Sequence, residues 1–101
     1  LHLGDAKSII PTLDKMYDIV YIDANKREYC EYYDLVFDKV RKGGYILADN
    51  VLWSGKVLLE NPPKDAQTQS IIAFNKKIEE DERVDNVILP IRDGINVIYK
   101  L

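Results

Sequence analysis

Two short runs of the chain carry too many apolar positions to be surface structure. Tyr17–Ile22 (YDIVYI) and Tyr45–Ala48 (YILA) are dense in β-branched and aromatic residues and end on polar ones, which predicts two buried strands. Between them, Tyr29, Tyr32, Tyr33, Val36, Phe37 and Val40 recur at i, i+3, i+4, i+7, i+8 and i+11. That stripe predicts a helix over 27–42, stopped by Gly43-Gly44. A second helix is expected over 66–81, with Ile71, Phe74 and Ile78 turned inward. Residues 86–91 and 95–99 read as strands around Asp93-Gly94, a two-residue link that signals a hairpin. At the start, Leu1–Leu3 is an apolar stub resembling the end of a strand. Asp5 is placed to cap a short helix over 7–15, although Pro11 fits only its first turn. The span from Asp49 to Lys64, with Trp53, Gly55 and Pro62-Pro63, reads as a long loop.

The order is strand stub, helix, strand, helix, strand, helix, hairpin. Such alternation predicts one α/β domain over 1–101, parallel where helices connect strands and antiparallel at the hairpin. In open α/β sheets ligands gather at the carboxyl ends of the strands. The first full strand ends in Asp23-Ala24-Asn25-Lys26 and the second in Asp49-Asn50. If these strands are neighbours, Asp23, Asp49 and Asn50 meet at one edge. Two carboxylates about 5 Å apart repel by roughly 3 kcal/mol at an effective dielectric near 20. Protonation, spacing or a cation must relieve that repulsion. Two carboxylates and an amide oxygen make a hard oxygen set that suits Mg²⁺, with Mn²⁺ or Ca²⁺ as substitutes. The same residues also fit polar strand ends or helix caps. Lys26 is either a solvated lysine at a helix start or, beside a metal, a general base with a lowered pKa. Trp53 is either the wall for a flat substrate or the anchor of its loop.

Composition narrows the classes. With 47% apolar and 31% charged residues the chain is expected to fold. A net charge of −3 and no basic run argue against an unspecific nucleic-acid binder. Cys30 and His2 are single, so a Cys/His zinc site is excluded. One cysteine also excludes an internal disulfide and points to a reducing, cytoplasmic setting. No apolar run approaches membrane-spanning length, and no signal-peptide pattern is visible. Glu79–Glu82 reads as a solvated helix end, Cys30 as a buried small residue, and the tyrosine stripe as core.

Together, "GDA", "YDIVYIDANKREYCEYYDLVFDKVRKGGYILADNVLWSGKV" and "FNKKIEEDERVDNVILPIRDGINVIYKL" resemble the cation-dependent, S-adenosylmethionine-using O-methyltransferases. That group includes caffeoyl-CoA, catechol and bacterial tRNA hydroxyuridine methyltransferases. "DNVLWSGKV" after "IDANK" is the most specific part. The resemblance implies a Rossmann-like class I methyltransferase fold. It implies Asp23, Asp49 and Asn50 as ligands of a divalent cation, most simply Mg²⁺, and Lys26 as the catalytic lysine. It implies that Asp5 and Ala6 contact the adenine side of S-adenosylmethionine and that Asp23 borders its methionine end. Asn25 departs from the family, where many bacterial members carry a second Asp. The family's glycine-rich loop and the acidic residue after its second strand have no counterpart here. The chain, which opens on Leu1, is therefore expected to be the C-terminal half of the fold and inactive alone, with strand 17–22 an exposed apolar edge.

The expected reaction is methyl transfer to a hydroxyl of a small catechol-like or hydroxylated aromatic acceptor. Hydroxyuridine in tRNA is the alternative acceptor, and the resemblance implies a homodimer. Two readings of another class are a phosphoacceptor receiver module, which lacks its lysine at the end of a later strand, and a non-catalytic half-domain used for assembly.

Overall fold

A computed structural model describes residues 2–101. Four strands form one sheet: β1 (Tyr17–Ile22), β2 (Val40–Asp49), β3 (Val84–Leu89) and β4 (Ile95–Lys100), in the spatial order β1-β2-β4-β3. β1 and β2 are parallel, whereas β4 runs antiparallel to both β2 and β3. Three strands therefore point one way and β4 lies reversed between two of them. Both helical connections join strands of the same direction, as expected.

Three α-helices accompany the sheet: α1 (Ala6–Ile9), α2 (Tyr29–Phe37) and α3 (Ala66–Glu79). The aromatic stripe of α2 meets α3 through edge-on contacts, with Tyr29 and Phe74 centroids 5.3 Å apart and Tyr33 and Phe74 6.2 Å apart. Ile71, Phe74 and Ile78 of α3 are buried as expected. Asp65 caps α3, its carboxylate accepting from Thr68 N and Thr68 Oγ1. On the sheet, Ile22, Ile46, Ala48 and Ile98 fill the face under these helices. Alternate positions on the opposite face, including Ile19 (60% exposed), Tyr21 (50%) and Val87, meet solvent. β1 is thus the exposed apolar edge rather than a strand buried on both faces.

Several boundaries differ from the sequence pattern, each for a local reason. Of the expected stub, Leu1 lies outside the described residues, and His2 and Leu3 are not in a strand. Asp5 does cap α1, accepting from Lys7 N, but the helix lasts one turn. It tightens into a 3₁₀ turn at Ile10–Thr12, where Pro11 has no N–H to continue it. α2 ends at Phe37, five residues before Lys42. Val40 already faces the core in β2, and the Lys100 ammonium donates to the carbonyls of Phe37 and Val40 at 2.8 Å each, satisfying the helix end. Gly43-Gly44 therefore lies within a strand rather than stopping a helix. The register jumps from Tyr17↔Val40 to Ile19↔Tyr45, and a Cβ on Gly44 would lie 2.7 Å from the Asp18 carbonyl oxygen. β3 and β4 pair Leu89↔Ile95, so the hairpin link is Pro90–Gly94, longer than Asp-Gly alone.

Asp81 locks the far end of the core. Its carboxylate accepts from Tyr33 Oη at 2.7 Å and from both Nε and Nη2 of Arg83. The Arg83 guanidinium holds its carboxyl far below the usual range, against the cost of burial. A group depressed in the folded state contributes stability above its unfolded pKa of about 3.9 and loses it as pH falls below that value. Asp81→Asn is expected to cost about 1–3 kcal/mol at pH 7, read from urea midpoints. The gap between wild type and variant should shrink steadily below about pH 4; a gap independent of pH would rule out the carboxylate as its source.

Candidate active site

The register Ile22↔Ala48 sets the ends of β1 and β2 side by side, which places Asp23 and Asp49 at one edge. Beyond β1 the chain turns through Asn25, whose side chain accepts from Arg27 N and starts the 3₁₀ turn Lys26–Glu28. The Asn25 amide also donates to Glu28 Oε1 at 3.0 Å. This turn buries Lys26, only 9% exposed, and sends Nζ back to the strand ends.

Lys26 Nζ donates to Tyr29 Oη at 2.7 Å and to Asp23 Oδ1 at 3.1 Å. Tyr29 Oη in turn donates to the Asp49 backbone carbonyl at 2.8 Å, with the Ile22 carbonyl more distant at 3.4 Å. One phenol thus joins the lysine to the ends of both strands. Burial acts to lower the Lys26 pKa, but the hydrogen bonds from the ammonium to Tyr29 and Asp23 outweigh it and push the pKa up. The fall expected beside a cation concerns the edge with an ion bound, where the ion's charge would work against the ammonium.

Asp49 is only 2% exposed. Its Oδ2 accepts from the Tyr21 hydroxyl and its Oδ1 from Asn50 N at 2.8 Å. Burial works to raise its pKa. The two hydrogen bonds, with the charges of Arg92 and Lys26, prevail and hold Asp49 below the usual carboxylate value. The same bond pushes the Tyr21 hydroxyl up to about 12. Asp49 is therefore an ionised, buried carboxylate with preset oxygens. Asn50 follows at φ 61°, a left-handed conformation that asparagine tolerates better than most residues. Its Nδ2 donates to Asp93 Oδ2 at 3.4 Å.

The remaining expected site residues are Asp5, Ala6 and Trp53. Ala6 and Asp23 line one open cavity of about 400 Å³ between β1, α1 and α2, walled by Ile10, Tyr17 and Val36 among others. Asp5 lies outside that lining and caps α1. Trp53 is half-buried against the core, with Lys56 Nζ 5.8 Å from its ring centroid and Nε1 enclosed without a partner among the described residues. Loop anchoring is therefore visible in the structure. Among the described residues no three His, Cys, Asp or Glu side chains form a metal cluster, and the Asp23, Asp49 and Asn50 set holds only two carboxylates. No helix is long and apolar enough to cross a membrane among them.

The sequence pattern marked Tyr29 only as core and Asp93 only as a turn residue, and it assigned no site role to these or to Tyr21 and Arg92. Tyr29 carried a usable signal, since it stands one helical step (i+3) beyond Lys26. Tyr29→Phe would leave a buried carbonyl and a buried ammonium short of a partner, and should cost about 1–3 kcal/mol. Tyr21→Phe would take the hydroxyl donor from Oδ2 of the buried Asp49 carboxylate and should also cost about 1–3 kcal/mol. Denaturation midpoints of the two variants check both losses; an unchanged midpoint in Tyr29→Phe would show that Tyr29 is not the buried hub.

A family model described as "O-methyltransferase" matches residues 1–101. Among curated proteins, a probable caffeoyl-CoA O-methyltransferase of Dictyostelium discoideum is 43% identical over 88 residues, covering 87% of this chain and 38% of its own length. The caffeoyl-CoA O-methyltransferase of Medicago sativa is 31% identical, covering 91% of this chain and 43% of its own. The chain thus spans less than half the length of these relatives. Among solved structures, a Podospora anserina methyltransferase bound to SAH superposes with a TM-score of 0.84 at 28% identity, covering 97% of this chain and 47% of that one. A Corynebacterium glutamicum protein reaches 0.90 at 21% identity, covering 98% and 46%, a likeness of fold alone.

Proposed function

The chain belongs to the O-methyltransferase family, and on that premise we propose that its protein moves a methyl group from S-adenosylmethionine to a hydroxyl of a small catechol-like or hydroxylated aromatic acceptor. The observation that carries this reading is the junction of Asp23, Lys26 and Asp49 at one sheet edge, tied together through Tyr29. The names of the relatives support a small hydroxylated acceptor over hydroxyuridine in tRNA. The single cysteine supports a reducing, cytoplasmic setting.

The donors at this edge fit a hard divalent cation such as Mg²⁺. Asp49 is ionised and oriented, and Asn50 adds an amide oxygen. Asp23, Asp49 and Asn50 would hold the ion, which would supply charge that acidifies the acceptor hydroxyl. Lys26, held as an ammonium by Tyr29 and Asp23, steers the hydroxyl proton from the position they fix, and the charge of a bound ion would lower its pKa and free the amine to take that proton. The acceptor oxygen then forms a bond to the methyl carbon as the carbon–sulfur bond breaks, and the sulfonium leaves as a neutral thioether. The displacement is in line, so positioning and charge stabilisation supply most of the acceleration. Ala6 and Asp23, which line the cavity beside β1, would be this chain's share of the cofactor site, with Asp5, outside that lining, next to Ala6 as the cap of α1. Trp53 supplies an aromatic wall to the acceptor from the loop it anchors.

Asp49→Ala, assayed with S-adenosylmethionine, Mg²⁺ and a catechol panel, should lose roughly a hundredfold or more in methyl transfer. Full retention would remove the cation from the reading. Lys26→Ala should lose roughly 100- to 10,000-fold at fixed acceptor, the range of a general acid–base group; an unchanged rate would remove it as the proton handler.

A further inference from the structure

The geometry points to Asp93, in the β3–β4 link, as a positioning residue that holds Asn50 and the loop carrying Trp53 in their site-facing arrangement. This inference rests on the proposed cation site. Since β4 begins at Ile95 opposite Asp49, the Pro90–Gly94 link sits over the same edge as the two strand ends. From there Asp93 makes two different contacts with the segment after β2. Its Oδ2 accepts from Asn50 Nδ2 at 3.4 Å, and its Oδ1 accepts from Ser54 N at 2.5 Å. An amide has its oxygen and nitrogen on opposite branches. Holding Nδ2 on Asp93 therefore turns Oδ1, the atom fit for a cation, away from the link.

The segment needs such a restraint. Asn50, Trp53 and Ser54 are all left-handed, at φ 61°, 49° and 55°. Side chains avoid that region unless neighbouring structure holds them. The link supplies further ties through its backbone, where Leu52 N donates to the Asp93 carbonyl at 3.0 Å and Val51 N to the Gly94 carbonyl at 3.1 Å. Gly94 must stay small for this approach, because a Cβ there would lie 2.5 Å from Leu52 Cγ. Among the described residues, only the Asp93 side chain reaches both the amide of Asn50 and the backbone of Ser54. Partners of this outer kind orient the groups that touch the ion, and their loss commonly weakens metal binding 10- to 100-fold.

The test titrates Mn²⁺ alone into the protein by calorimetry. Asp93→Ala should bind about tenfold more weakly. Asp93→Asn should lose less, because its one oxygen can serve Asn50 or Ser54 but not both. A double variant with Asn50→Ala should bind no more weakly than Asn50→Ala alone, since Asp93 acts through that amide. Trp53 emission should also shift to the red in Asp93→Ala as the loop loosens. Wild-type Mn²⁺ affinity in Asp93→Ala, with binding lost in Asp49→Ala, would overturn the role of Asp93 and leave the cation site standing. Unchanged affinity in both Asp49→Ala and Asn50→Ala would overturn the cation site and the inference with it. Should Asp93→Ala fail to fold, Asp93→Asn decides: weaker Mn²⁺ binding at an unchanged melting temperature supports the role, and wild-type affinity overturns it.

Discussion

A single buried hydroxyl holds the chemistry of this edge in register. Tyr29 sits in the first turn of α2, its ring packed edge-on against Phe74 and its oxygen under the ends of β1 and β2. A phenol has one proton to give and lone pairs to receive. Here the proton goes to the Asp49 carbonyl and a lone pair receives Lys26. The helix, the turn that carries the lysine and the second strand are therefore fixed relative to one another by one atom. Because the ring is fully buried, the oxygen cannot move without disturbing the α2–α3 contact. Core packing and the placement of Lys26 are thus the same constraint.

Charge at this edge is balanced locally. Asp49 is buried and ionised, which is costly unless hydrogen bonds and opposite charge replace water. Tyr21 and the Asn50 N–H occupy its two oxygens, while Lys26 and Arg92 contribute positive charge. Asp23 stays half-exposed beside Lys26 and needs less support. The two carboxylates thus differ in kind: one is set by the protein, the other is open to solvent and free to adapt. An edge with one fixed and one adaptable anion can receive a cation or a polar acceptor without rearranging its core.

Much of this was legible from periodicity and from the polar residues that end each strand. β1 matches its apolar run residue for residue, and α3 buries the three residues its spacing marks. The junction of Asp23 with Asp49 follows once β1 and β2 are taken as parallel neighbours. What failed had physical causes. A helical stripe cannot show that its last member, Val40, is buried by a strand instead, because inward-facing residues look alike in either period. Gly43-Gly44 reads as a stop signal in a helix and as a bulge in a strand, and only the sheet partner decides. Asp93 was hidden because its turn chemistry accounted for it; its contacts with Asn50 and Ser54 span about forty residues of sequence, where no local pattern reaches.

The segment after β2 shows why such contacts gather at strand ends. A left-handed residue other than glycine costs about 1–2 kcal/mol, and this loop has three within five positions. A strand could not carry that strain without losing its ladder. Past Asp49 the ladder has ended, so the backbone can turn sharply and aim its polar groups at one point. The strain still has to be held. The Pro90–Gly94 link does this by extending two backbone bonds past the last strand pair, from Val51 and Leu52. The placement of β4 between β2 and β3 makes that possible, since only a reversed neighbour brings its entering loop to the carboxyl end of β2. The reversed strand is therefore part of how the site is held, and not merely the finish of the sheet.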